Sequence, residues 1–174
     1  DKYRVPVIIM SDAYIGQMME AVSFSPKIKK TKRKEWALYG DKESSDNLVT
    51  SILMSQKLQQ DHNILLQDIY KEIEDNEQDS EEYLTEDADV VLTAFGICSR
   101  ICLTVVRELR KEGIKIGLFR PKTLFPFPND AISKLTSTVK KLMVVELSNG
   151  QMAADVELAT RCKLPVLRLN WYGG

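Results

Sequence analysis

The chain's apolar positions change their spacing along its length. At residues 5–10, "VPVIIM", they form an unbroken run that stops at Ser11-Asp12. Continuous rather than alternating apolarity predicts a strand covered on both faces, as in a parallel sheet. Tyr14, Met18 and Ala21 or Val22 then recur at helical spacing, with Ser11 or Asp12 placed to cap the helix. The pattern disappears from Ser23 to about Asp46, where Trp36, Leu38 and Tyr39 are the only large apolar residues, as expected of a linker pinned by an aromatic anchor. Leu58, Leu65, Ile69 and Ile73, with Leu66 and Tyr70 beside them, predict a long amphipathic helix through about residue 77, and "DNEQDSEEYLTED" reads as an acidic surface connection.

Beyond residue 87 strand and helix alternate. "DVVLTAF" at 89–95 predicts a strand broken by Gly96, and Ile101, Val105 and Leu109 mark a helix that Gly113 is placed to stop. "IKIGLF" predicts the next strand, with a helix through Ile132, Leu135 and Val139. "KLMVVEL" predicts a third strand, Asn149-Gly150 a corner, Met152, Val156 and Ala159 a third helix, and "PVLRLN" a fourth strand. Such alternation implies right-handed crossovers and an α/β fold, a parallel sheet with helices on both faces. Three divisions follow: residues 1–22, one strand and one helix of a sheet not otherwise present; 23–86, linker and long helix; and 87–174, a small α/β domain.

Ligands and partners of such sheets meet the carboxyl ends of the strands, where Gly96, Arg120, Glu146 and Asn170 are expected. At "AFGICSR", Gly96 with Ser99 and Arg100 can hold a phosphate at a helix N-terminus, or Gly96 can simply make a tight turn. The second and third glycines of a dinucleotide fingerprint are missing. Glu146 and Asp12 follow apolar runs without a neighbouring nucleophile or histidine, which favours structural or interface roles over catalytic ones. Arg120 ends an apolar strand with a planar fork of donors. Pro121 holds Arg120 extended, and "LFPFP" presents Phe125 and Phe127 on a stiff loop, either toward a partner subunit or beneath their own domain.

Composition narrows the classes. The 174 residues are 44% hydrophobic and 28% charged, a globular balance, and no apolar run reaches the roughly 18 to 20 residues of a bilayer span. A formal net charge of −1 gives no general attraction to nucleic acid. The basic run "KIKKTKRK" (Lys27, Lys29, Lys30, Lys32, Arg33, Lys34) lacks interleaved aromatics and reads as solvated linker, so neither a nucleic acid nor a membrane is expected as partner. Three cysteines without disulfide spacing fit a reducing cytoplasm. Cys98 and Cys102 share a helix face, but no Cys-x-x-Cys motif or nearby histidine completes a metal site; His62 sits in polar "QQDHN". The chain opens on Asp1, without an initiator Met or signal-peptide pattern, and reads as a piece of a longer one.

Taken together, "KYRVPVIIMSDAYIGQMMEAV", "EWALYG", "EEYLTEDADVVLTAFGICSRI", "EGIKIGLFRPKTLFPFP", "LMVVELSNGQMAADVELA" and the final "YGG" resemble the carboxyl-terminal half of the alpha subunit of 2-oxoacid:ferredoxin oxidoreductases, of the 2-oxoisovalerate (3-methyl-2-oxobutanoate) type. The resemblance implies that residues 1–22 end a thiamine-diphosphate pyrimidine-type domain and that 87–174 are similar to the carboxyl-terminal domain of transketolase. It implies a complex with beta and gamma subunits that decarboxylates a 2-oxoacid, transfers the acyl group to coenzyme A and reduces ferredoxin. Thiamine diphosphate, Mg²⁺ and iron–sulfur clusters are then held by the other parts. The sequence has no Gly-Asp-Gly signature and no cluster-type cysteine spacing, and Ile97 and Cys98 stand where small or hydroxyl residues are more usual in that family. The expectation is a polypeptide that is inactive alone and organises subunits, with Asp12, Arg120, Pro121, Phe125, Phe127, Glu146 and Asn149 as interface candidates. The competing readings are an independent α/β domain that binds a phosphate-bearing small molecule at the Gly96 turn, and an interaction protein held by its basic run.

Overall fold

The computed structural model describes residues 2–24, 32–50 and 52–172. Lys27, Lys29 and Lys30 of the basic run, and Gly173-Gly174 of the final "YGG", lie outside the described residues. Two compact units are present, one of residues 1–18 with 69–174, the other of 19–68.

The larger unit holds a five-stranded sheet in the order β1-β3-β2-β4-β5: β1 (Ser80–Tyr83), β2 (Val90–Thr93), β3 (Ile116–Pro121), β4 (Lys141–Glu146) and β5 (Val166–Asn170). The last four strands run parallel, as their apolar runs predict, and β1 is antiparallel to β3. Helix α3 (Gly96–Lys111) joins β2 to β3, α4 (Asn129–Leu135) joins β3 to β4, and α5 (Gln151–Ala159) joins β4 to β5. Val91, Phe119, Leu142 and Val144 point to one face and pack on Ile132 and Leu135 of α4 and Met152 and Val156 of α5. Leu92, Ala94, Ile116 and Leu118 point to the other and pack on α3. Alternate residues of β2, β3 and β4 thus feed opposite cores, the period of two that a doubly covered strand requires, and the α/β three-layer architecture follows. Fully burying a side chain such as Phe119 or Leu142 contributes about 2 kcal/mol.

Several expectations change. Residues 5–10 form no regular secondary structure and pair with no strand among the described residues, and Val7, Ile8, Ile9 and Met10 are 73–92% exposed. An apolar run becomes a strand only where a neighbouring strand accepts its hydrogen bonds. The following helix, α1, covers only Ala13–Gln17, short of residue 22. "SEEY", read as surface connection, is instead edge strand β1. Arg120 and Pro121 do not terminate the sheet. They continue β3 opposite Glu81 and Ser80 of β1, while β2 has already ended at Thr93 opposite Phe119. With one neighbour instead of two, a proline is tolerated there.

The buried stripe of α3 is Cys98, Cys102 and Val106, not Ile101 and Val105, which stay largely exposed. Thiols at i and i+4 act here as small apolar groups.

The second unit carries the amino-terminal part of α2 (Gln56–Asn76), whose residues from Ile69 onward belong to the larger unit. Its aromatic anchor is built locally. The Tyr39 hydroxyl accepts from Lys34 N–H at 2.7 Å, Tyr39 N–H donates to Ser44 Oγ at 2.9 Å, and the Arg33 guanidinium stacks on the Tyr39 ring and pairs with Asp41. No helix among the described residues is long and apolar enough to cross a membrane.

Candidate functional site: the carboxyl edge of the sheet

The chain leaves β2 toward the α3 face and the adjacent β4 toward the α5 face, so the strand order reverses between these two neighbours. At such a switch point two helix N-termini, each with unsatisfied N–H groups, face a crevice where open α/β sheets receive anions. In this chain both N-termini are filled by the chain's own carboxylates.

At α3, Phe95 occupies the cap position and its side chain makes no capping bond. The N–H of Ile97 donates instead to Asp12 Oδ2 at 2.7 Å, while Asp12 Oδ1 accepts from Ile15 N–H at 2.8 Å and caps α1. Gly96 has φ +57°, and a Cβ there would stand 2.5 Å from Asp12 Oδ2. The turn needs glycine both for its left-handed backbone and for the approach of that carboxylate. Ser99 is buried, and its hydroxyl donates back to Gly96 O at 2.7 Å; Arg100 is exposed on α3. The seat expected for a phosphate at Gly96, Ser99 and Arg100 is therefore taken by Asp12.

At α5, Glu146 ends β4 and is 2% exposed. Its oxygens accept from Met152 N–H and Ala153 N–H, each at 3.2 Å, and from the Ser148 hydroxyl. A buried charge is tolerable when it is hydrogen-bonded at the positive end of a helix dipole. Asn170, opposite Glu146 on β5, donates to Ser148 O at 2.7 Å and fixes the loop, in which Asn149 is exposed. Cys98 lies between the two carboxylates. Burial pushes its thiol up, and the charges of Asp12 and Glu146 push the same way. It is a neutral packing group rather than a nucleophile.

The remaining predicted residues scatter. Arg120 pairs with Glu81 at 3.0 Å and Pro121 is buried. Phe127, 9% exposed, belongs to the core of its own domain, whereas Phe125 is 64% exposed and meets Tyr70 edge-on with centroids 5.9 Å apart. Open grooves of about 430 and 470 Å³ lie elsewhere, one along α2 at Gln56, Gln60 and Asn63, the other between α4 and α5 at Asp130, Arg161 and Lys163. Among the described residues no group of three or more His, Cys, Asp and Glu can hold a metal.

One functional arrangement escaped the sequence reading. Arg110 Nε donates to Ile116 O and one terminal nitrogen to Leu84 O, each at 2.6 Å, while both terminal nitrogens clasp Asp87 at 2.8 and 2.9 Å. This clamp sits at the amino ends of β2 and β3 and holds the β1–β2 connection. A basic residue in the last turn of a helix was the available signal, and it does not name its partners.

Residues 88–174, which hold the parallel strands β2 to β5, match the family described as pyruvate:ferredoxin oxidoreductase core domain II. The chain belongs to this family. Over 175 residues it is 42% identical to the ketoisovalerate oxidoreductase subunit VorB of Methanothermobacter thermautotrophicus, covering 100% of this chain and 49% of that protein. It is 28% identical over 199 residues to the 2-oxoglutarate synthase subunit KorA of Methanocaldococcus jannaschii, covering 100% of this chain and 53% of that one. This member of the core domain II family thus spans about half the length of the curated relatives it matches. A solved 2-oxoglutarate:ferredoxin oxidoreductase from Magnetococcus marinus, with 2-oxoglutarate, coenzyme A and succinyl-CoA bound, superimposes on 70% of this chain and 21% of its own with a TM-score of 0.54. At 19% identity that likeness shows a shared fold.

Proposed function

We propose that the chain is the carboxyl-terminal half of the alpha subunit of a thiamine-diphosphate-dependent 2-oxoacid:ferredoxin oxidoreductase of the 2-oxoisovalerate type. The complex would convert the 2-oxoacid to acyl-CoA and CO₂, with reduction of ferredoxin, in the cytoplasm. The observation that carries the reading is the match along the entire chain to a ketoisovalerate oxidoreductase subunit, 42% against 28% for the 2-oxoglutarate synthase subunit. In this reading residues 1–22 complete a preceding pyrimidine-type domain, 23–86 are linker and long helix, and 87–174 are the transketolase-like domain. The exposed run Val7–Met10 supports the first assignment, because an exposed apolar segment lowers its free energy by being covered.

Thiamine diphosphate supplies carbanion-stabilising chemistry when bound, and iron–sulfur clusters accept the electrons. Among the described residues the candidate side chains do not fit those groups. Asp12 and Glu146 already accept backbone N–H bonds, and Cys98 and Cys102 are sealed in an apolar core apart from exposed Cys162. In this reading the cofactors and Mg²⁺ are bound by other parts of the alpha subunit and by the beta and gamma subunits, and this chain alone is inactive. Its contribution is subunit organisation, with exposed Phe125, Arg120 and Asn149 as the interface residues. Half-buried Asp12 and buried Pro121, Phe127 and Glu146 support it from within.

The test is reconstitution of the full-length protein with its companion subunits, followed by coenzyme A-dependent ferredoxin reduction on several 2-oxoacids. The highest kcat/KM is expected with 2-oxoisovalerate. Preference for 2-oxoglutarate or pyruvate overturns the subtype, and failure to turn over any 2-oxoacid overturns the class.

A further inference from the structure

Contacts between residues 2–18 and the rest of the larger unit include two side-chain attachments. At the first, the Tyr3 hydroxyl donates to Glu77 at 2.7 Å and Lys2 pairs with the same carboxylate at 3.2 Å; these groups are exposed, and such pairs hold weakly. At the second, Asp12 gives one oxygen to α1 and the other to α3, in a half-buried position. Between the attachments runs the exposed stretch Val7–Met10. Of these two, the half-buried Asp12 attachment is the stronger.

We propose that Asp12 and Gly96 form a latch: the Asp12 carboxylate occupies the α3 N-terminus as a built-in anion, and Gly96 is its receptor. Three observations converge. α3 has 16 residues, so its N–H groups form a full-strength positive terminus, yet its own cap residue supplies no acceptor. The acceptor comes from a residue 85 positions earlier. The receptor position carries no Cβ where a Cβ would be 2.5 Å from the incoming oxygen. One carboxylate thereby sets the position of α1 relative to α3, and while it is seated the switch-point end of α3 is closed to phosphate and other oxyanions. The latch holds whichever 2-oxoacid the complex uses.

Hydrogen exchange of the full-length protein with Asp12→Ala, Gly96→Ala and the double substitution tests this. Asp12→Ala should speed exchange of residues 13–18 and of the Ile97 amide roughly tenfold, the loss of a strong cap, and leave β2, β3 and β4 unchanged. Gly96→Ala in the parent meets both the left-handed backbone penalty and the collision with Asp12. In the Asp12→Ala background only the first remains, so the substitution should accelerate exchange less there. Strictly additive effects, or an Asp12→Ala protein that exchanges like the parent at both segments, would overturn the latch. Should either alanine variant fail to fold, Asp12→Asn decides. It keeps one acceptor oxygen and should loosen one of the two segments, and parental protection of both would equally overturn the proposal.

Discussion

Gly117 on β3 lies against the carbonyl oxygen of Leu84, so close that a Cβ at Gly117 would stand 2.5 Å from it. Leu84 cannot retreat easily. Its backbone is left-handed at φ +53°, and its carbonyl accepts from Arg110 at 2.6 Å. Gly117→Ala should therefore destabilise the domain by about 1 to 3 kcal/mol, the cost of forcing one extra carbon into a packed site. Urea unfolding would show a lower midpoint with an unchanged slope. A midpoint within error of the parent would mean that the β1–β2 connection is soft after all.

Gly117 also illustrates what a one-dimensional pattern conveys. The strands β2 to β4 were readable because each is an apolar run bounded by turn residues, as a strand buried on both faces requires, and edge strand β5 was readable from its own apolar residues. β1 was not readable, since "SEEY" offers only Tyr83 as a large apolar group and owes its strand state to the free edge of β3. Residues 5–10 show the converse: composition favours a strand, but pairing needs a neighbour that is not found among the described residues. Asp12 was half legible. Its capping of α1 is local in sequence, whereas the bond to Ile97 spans 85 residues and depends on how β2 and α3 are placed. Glu146 was expected in a structural or interface role, and the geometry specifies helix capping. The partner of Arg120 was unreadable because Glu81 belongs to the strand that went unseen.

Glu146→Gln should cost about 1 to 3 kcal/mol, because the amide replaces one acceptor oxygen with a donor facing buried N–H groups of α5. Glu157→Gln is the control. Glu157 pairs with Arg168 at 2.6 Å on the surface, and losing such a pair should cost less than about 1 kcal/mol. Thermal or urea unfolding of the two variants gives the comparison. Equal losses would mean that Glu146 does not support α5 as its geometry implies.

Stability should fall at alkaline pH. Burial pushes the Cys102 thiol up to about 11 from an ordinary value of 9.0. Between those values the unfolded chain releases this proton and the folded chain keeps it, so the unfolded state gains and stability declines as pH rises. Below pH 9.0 the thiol is neutral in both states and its contribution is fully present. The decline from this group is at most about 3 kcal/mol. Denaturant unfolding at pH 8 and pH 10.5 should show a smaller drop for Cys102→Ala than for the parent, even though the variant is weaker at pH 8 through lost packing. Identical drops would remove Cys102 as the source.

Thr93 ends β2 between Phe119 and Val144 with its hydroxyl fully buried, and that oxygen is the one buried side-chain polar atom among the described residues without a hydrogen-bond partner. An unsatisfied buried hydroxyl costs free energy that a methyl group of similar size does not. Thr93→Val keeps the branched shape and should raise stability by about 1 kcal/mol. Thr93→Ala removes the hydroxyl but also opens a space beside Phe119, so it should gain less than valine or lose stability. The order valine above threonine in urea midpoints is the expected result. Valine below threonine would show that the hydroxyl is satisfied in solution, and that the carboxyl end of β2 has a polar partner.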